Sequence, residues 1–381
     1  MQISNRIYKF YILLLLIFTY NINNLHSCTI AVLSGKITDN GKPYLFKNRD
    51  GSNGDFEVTL VDKNSALQCI TNNCFKYIAV TKWKEDSENK FIYGGINEHN
   101  FAIGNAVIST YDMRDNLSNK NLYLQRIALE SCKTINDFEN LLNNWLKNNK
   151  NTAINSYYAV IDNNHAVIYK VLTVNNKLNI TKYDADESPS GYYVFSSMLQ
   201  RFSNNDHESK RMKKFEEIID NNLNNNKFIN FETLKAISRN VCDNLETIKS
   251  DLINIDPCIN NENTMFSIII NNKDMYVNLN NPIAGIFLPT SIDYIPEALY
   301  YDDVNGFACS KQSELCSDGI NKSSKSIVHS IYDKNINTLF IREKYLIVKN
   351  ALNILNKNIN TERELQSNYF NNLNYFINIQ N

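Results

Sequence analysis

The stretch CTIAVLSGKITDNGKPYLFKNRD, from Cys28 to Asp50, decides how the chain is read. Thr29 to Leu33 are β-branched or apolar, the composition of a strand. Asp39-Asn40-Gly41-Lys42-Pro43 has the Asn-Gly and Pro content of a turn. Tyr44 to Phe46 is a second short strand, and the charged cluster Lys47-Asn48-Arg49-Asp50 follows it. The segment is therefore expected to be a hairpin that carries Cys28 on one strand and a charged cluster at the end of the next.

Upstream, Arg6 and Lys9 precede an apolar run from Tyr11 to Tyr20, and mostly polar residues follow from Asn21 to His26. That run is short of the ~20 residues that span a bilayer. A basic, then apolar, then polar order is that of a secretory signal peptide, with the cut expected between Ser27 and Cys28. The expected location is secreted or otherwise extracytoplasmic. A second reading of Leu25-His26-Ser27-Cys28 is a degenerate lipoprotein signal with Cys28 lipidated, the one case in which membrane contact is expected.

The 39 Lys+Arg and 40 Asp+Glu leave a net charge of -1, which argues against nucleic acid as a partner. Gly (11) and Pro (6) are scarce, which excludes collagen-like and Pro-rich architectures. Asn fills about one residue in six and is read as compositional bias in solvated segments such as Asn221 to Asn226. Two strand-like runs lie between Phe91 and Ile108, around the Asn97-Glu98-His99-Asn100 turn. Apolar residues recur at three and four over Asn121 to Lys147, as in a helix, with Thr134 capping its second part. Strands are expected at Tyr157–Ile161, Ala166–Val171, Tyr192–Phe195, Met265–Ile270, Met275–Leu279, Ile327–Tyr332 and Thr338–Ile341. Helices are expected at Phe215–Leu223 and Phe231–Ile248. Hairpins alternating with helix pairs predict an α+β layered domain. The expected organisation is a signal peptide over 1–27, one catalytic domain over 28–349 and a polar Asn-rich segment over 350–381.

Of eight cysteines, Cys69/Cys74 and Cys309/Cys316 are close enough in sequence for local disulfides, which an exported protein can keep. The spacings lack the tight pairs of a zinc site, so no metal or other cofactor is expected. Cys132 sits in a helical pattern and reads as a buried thiol.

Cys28 differs from the rest. A thiol at a new N-terminus carries its own base, because the α-amine (pKa about 7.7–8.0) and the thiol (about 8.5) are nearly matched. The thiolate would attack a carbonyl, form an acyl-enzyme and release an amine. Asp50 would orient the α-ammonium, Lys47 and Arg49 would lower the thiol pKa, and Asn105 would donate its amide to the oxyanion.

The same residues resemble a known family. Cys28 to Asp50 resembles the opening of cysteine N-terminal-nucleophile (Ntn) hydrolases, the branch of penicillin V and bile-salt acylases, isopenicillin-N acyltransferase, acid ceramidase and Cys dipeptidases. Lys47-Asn48-Arg49-Asp50 fills the family's Arg/Gln-Asn-x-Asp motif, with Lys at the first place. GGINEHNFAIGNA (Gly94 to Ala106) resembles the segment that ends in the family's oxyanion Asn, here Asn105. Asn100 replaces a turn Gly, which Asn tolerates in the left-handed conformation. LQRIALESCKTINDFENLL, YYAVID, SPSGYYVFSS and SIVHSIYD resemble later family segments. Ser197 stands where many relatives have a second polar Asn, and Arg211 is the candidate for a late family Arg. The resemblance implies a four-layer αββα sandwich of the Ntn type, and a hydrolase of linear amide C–N bonds acting on a small-molecule amide or acylated amine. Alternatives on the same scaffold are an acyltransferase, a dipeptidase, or a binding protein without catalysis. Oligomeric state is not read from the sequence.

Overall fold

The structure, a computed structural model, describes residues 28–295 apart from 52–55, 64–68, 72–73, 83–90, 109–119, 149–153, 176, 198–205, 241–258, 261–263, 280–281, 283–286. The expected signal peptide, the Cys309/Cys316 pair, the strands beyond residue 320 and the C-terminal segment lie outside the described residues.

Two antiparallel sheets form the centre. The first has the order β10-β1-β2-β11-β12-β13, made of β1 (Thr29–Leu33), β2 (Tyr44–Asp50), β10 (Tyr192–Ser196), β11 (Thr264–Asn271), β12 (Asp274–Asn278) and β13 (Leu288–Thr290). The second is a seven-stranded meander in chain order: β3 (Phe56–Val61), β4 (Tyr77–Lys82), β5 (Ile92–Asn97), β6 (Ala102–Val107), β7 (Asn155–Ile161), β8 (Ala166–Val174) and β9 (Lys177–Asp184). The helices are α1 (Lys120–Ser131), α2 (Ile135–Asn148), α3 (Asp206–Asn224) and α4 (Phe231–Ser238).

Side chains alternate across a strand, so each strand of a doubly covered sheet has two apolar faces. In β1, Ile30 and Val32 join Leu45, Ile268 and Ile270 against Ile78, Val80, Ala102 and Ile168 of the second sheet. Ala31 and Leu33 point the other way, with Phe46 and Ile269, onto Phe215 and Ile219 of α3 and Leu234 and Ile237 of α4. The outer face of the second sheet, with Tyr77, Ile103, Tyr158 and Tyr169, packs on Leu124, Leu129, Phe138 and Trp145 of α1 and α2. The layers are thus helices, sheet, sheet, helices: the four-layer αββα sandwich expected from the sequence.

Several local readings hold. The opening hairpin pairs Leu33 with Tyr44 and Thr29 with Asn48. The Thr134 hydroxyl accepts from the Asp137 N–H at 3.2 Å, and the Asp137 carboxylate accepts from the Thr134 N–H at 3.0 Å, a reciprocal cap at the start of α2. Cys69 and Cys74 form a disulfide, and Cys132 is a buried free thiol. Asn serves as a turn residue here: every non-glycine residue with positive φ among those described is Asn (Asn100, Asn175, Asn226, Asn272). In this Gly-poor chain Asn takes left-handed turn positions, because its short polar side chain tolerates them.

Other readings are corrected. β2 continues through Lys47-Asn48-Arg49-Asp50 and does not stop at Phe46; pairing with β1 on one side and β11 on the other overrides the poor strand preference of charged residues. β3, β4, β9 and β13 were not anticipated from the sequence. α3 begins nine residues before Phe215, and α4 ends at Ser238, where Arg239 caps it; from residue 241 the remainder of the helix expected up to Ile248 lies outside the described residues. Among the described residues no helix is long and apolar enough to cross a membrane, and no group of three or more His, Cys, Asp or Glu could hold a metal.

Candidate active site

The alternation of β2 sorts the charged cluster. Lys47 and Arg49 share the parity of Leu45 and face the second sheet; Asn48 and Asp50 share that of Phe46 and face the helices. Cys28 lies between the sheets, like Ile30. Continuing the register Thr29↔Asn48 by one residue sets Arg49 across from Cys28. Accordingly the Arg49 guanidinium donates to the Cys28 Sγ at 3.1 Å and to the Asp50 carbonyl at 2.7 Å. It lies over the Tyr93 ring, 5.6 Å from the centroid.

The backbone at Cys28 is fastened on the β10 side. Its N–H donates to the Ser197 hydroxyl at 3.1 Å, and its carbonyl accepts from the Ser197 N–H at 2.8 Å and the Ser196 hydroxyl at 3.2 Å. Ser197, expected in the polar site, is therefore the residue that contacts the nitrogen of Cys28.

Lys47 is fully buried, and its alkyl stem runs past Gly104. Its ammonium donates to the Tyr93 carbonyl and, at 3.1 Å, to Oδ1 of Asn105. It lies 5.8 Å from the centroid of the Phe266 ring. Asn105 spends one amide hydrogen on the Ser156 hydroxyl at 3.2 Å. An amide carries two, so one remains for another acceptor. The contact from Lys47 fixes which end of Asn105 is oxygen.

On the helix side Arg211 of α3 donates to Oδ2 of Asp50 at 2.9 Å, and the Thr264 hydroxyl donates to Oδ1 at 2.8 Å. Both charges are buried. The candidate residues thus fall into two linked groups: Cys28, Lys47 and Asn105 between the sheets, and Asp50 with Arg211 beneath the helices. Arg49, which donates to both the Cys28 sulfur and the Asp50 carbonyl, links them, and Ser197 holds the nitrogen of Cys28.

The electrostatics follow from these contacts. Burial pushes the Cys28 thiol up, but Arg49 and Lys47 beside it outweigh that, and its pKa lies below the ordinary thiol value; Asp50 works against them. Burial takes Lys47 down to about 7, opposed by the Cys28 thiolate and aided by Arg49. Arg49 is driven further up despite its burial, chiefly by Cys28.

The sequence reading has Arg49 and Lys47 lowering the thiol pKa by nearby charge, and the register makes Arg49 the thiol's direct partner. Thr264, Tyr93, Ser156 and Phe266 were missed. All four lie in or next to segments expected to be strands, but nothing local marks them as site residues: the pairing of strands distant in sequence brings them to the site.

No family model matches the chain, and no curated protein matches it. Its fold is similar to that of conjugated bile acid hydrolases. One variant of that enzyme from Clostridium perfringens is 13% identical, with a TM-score of 0.45, over 71% of this chain and 94% of its own. A second variant is 11% identical, also at 0.45, over 71% and 93%.

Proposed function

We propose that the protein is an amide hydrolase of the Ntn type and that Cys28 is its nucleophile. The observation that carries this reading is the Cys28 thiol at the head of a central strand, 3.1 Å from the Arg49 guanidinium and held below its ordinary pKa. A buried thiol with no such partner is pushed the other way. In this reading the thiolate attacks the carbonyl carbon of a linear amide. The oxyanion takes the second amide hydrogen of Asn105, whose other hydrogen is occupied by Ser156. The amine leaves with a proton, and water releases the acyl group from the thioester.

The proton would pass through the α-amine of Cys28 once the leader is cut after Ser27. Ser197, which contacts that nitrogen, would orient the amine. Asp50, fixed by Arg211 and Thr264, would supply the negative charge that favours an ammonium there. Lys47 would hold Asn105 by its oxygen and so aim its amide at the oxyanion. The protein would be exported, and its substrate a small amide or acylated amine.

The test uses the exported protein with its N-terminus sequenced and a panel of N-acyl amines. A chain that starts at Cys28 is expected to hydrolyse members of the panel, with a thioester on Cys28 trapped by acid quench. Cys28→Ala is expected to lose about 10³-fold or more. Undiminished hydrolysis by Cys28→Ala would overturn the proposal.

A further inference from the structure

The helix face of the first sheet carries a line of polar residues. The register pairs Ser196 with Thr29, Thr29 with Asn48, Asn48 with Ser267 and Ser267 with Asn278, across β10, β1, β2, β11 and β12. All five are buried. They share the face of Val194, Ala31, Phe46 and Ile269, where an apolar residue would pack on α3 and α4 as those do.

The line is only partly satisfied. Asn48 donates both amide hydrogens, to the Ser238 carbonyl at 3.0 Å and the Ile259 carbonyl at 3.1 Å, and so closes the end of α4. That use of Nδ2 fixes Oδ1 as the free end. Oδ1 of Asn48 has no hydrogen-bond partner among the described residues, nor do the hydroxyl oxygens of its two cross-strand neighbours, Thr29 and Ser267. Three adjacent strands thus turn three unpartnered oxygens into one buried seam.

Buried polar atoms are rarely left unpaired. The chemistry here is specific: Oδ1 only accepts, whereas each hydroxyl both donates and accepts. A guest must therefore donate to Asn48 and can take or give a hydrogen at either side. An apolar ligand fails this, and the three oxygens of the seam, from two hydroxyls and an amide, include no carboxylate for a divalent cation.

We propose that this seam is a binding site for ordered water, with one or two molecules bridging Thr29, Asn48 and Ser267 beneath α4. Water makes about three hydrogen bonds at such sites, the number offered here. The seam includes Thr29, the first residue of β1 and the chain neighbour of Cys28, so the water would belong to the support of the strand that Cys28 heads. The site does not depend on the hydrolase reading: it rests on the register and burial of residues other than those assigned to chemistry.

A high-resolution crystal structure of the exported protein tests it. The expected result is ordered density within 2.7–3.2 Å of Oδ1 of Asn48 and of at least one flanking hydroxyl. In crystals of the Thr29→Val, Ser267→Ala double variant that density is expected to weaken or vanish while Asn48 keeps its two carbonyls. Either of two results overturns the proposal: a dry seam with the hydroxyls turned onto neighbouring carbonyls, or density whose short, many-fold oxygen contacts identify a bound monovalent cation. Water-to-protein cross-relaxation at the Thr29 and Asn48 amides gives the same answer in solution, present if the seam is wet and absent if it is dry.

Discussion

Cys28 at the head of β1 and Cys132 just after α1 are both free thiols, 3% and 2% exposed. Their surroundings divide them. Cys132 sits among Leu129, Ile135 and Phe138, and burial pushes it up to about 12. Cys28 bears the same kind of burial, yet Arg49 and Lys47 bring it below the ordinary value. The lesson is that burial alone silences a thiol, and two cations on the facing strand reverse the sign. Lys47 is itself held near 7 by its burial in the same space, with the Cys28 thiolate working against that.

The contrast can be broken at several points. Removing the nucleophile has the largest effect: Cys28→Ala should abolish covalent capture by an acylating amide probe, whereas Cys132→Ala should leave it unchanged, read by peptide mass spectrometry. Next comes the buried pair behind the site. Arg211→Met leaves the Asp50 carboxylate without its cation, and the expected loss is about 3–5 kcal/mol in chemical denaturation. A loss under about 1 kcal/mol would show that the pair is not buried as described.

Arg49→Gln keeps a polar side chain and removes the charge. The thiolate fraction near neutral pH should fall and should recover as the pH is raised, because Arg49 is the first of the charges that hold the thiol down. The same substitution should leave Cys132 unmoved.

Lys47→Met sharpens the comparison through stability. A lysine held near 7 in the fold and at about 10.4 when unfolded binds fewer protons in the native state between those values. The unfolded chain therefore holds more protons there, and stability rises with pH across that window, the penalty being fullest below about 7. Lys47→Met should remove much of this rise, and denaturation at pH 6 and pH 9 measures it. A variant with the wild-type slope would mean that Lys47 is not buried as a cation.

Much of this was legible beforehand, for reasons that differ by residue. The hairpin around Asn40-Gly41 combined apolar strands with strong turn chemistry, so the placement of Cys28 near the charged cluster followed from local rules. The two faces of β2 were not legible, because Lys47 to Asp50 read as a cluster after a strand. The pairing with β1 on one side and with β11, more than two hundred residues away, on the other makes them strand residues with opposite orientations. Arg211 meets Asp50 across 161 residues, and nothing local to Glu208-Ser209-Lys210-Arg211 fixes that contact; the family resemblance alone suggested it. β9 was missed because it is an edge strand with exposed polar residues on both faces, such as Lys177 and Asn179 on one and Lys182 on the other, and so carries little apolar signal. Cys132, by contrast, reads as a buried thiol from its place in a helical pattern, and the structure has it so.

The most direct test of the charge-activated thiol is a pH titration of thiolate ultraviolet absorbance on the folded protein, with Cys28→Ala as the blank. One thiolate per chain should appear with a midpoint below the ordinary value of about 8.5, vanish in Cys28→Ala and shift upward in Arg49→Gln. A Cys28 signal whose midpoint lies at or above that value in the wild-type protein would contradict the account.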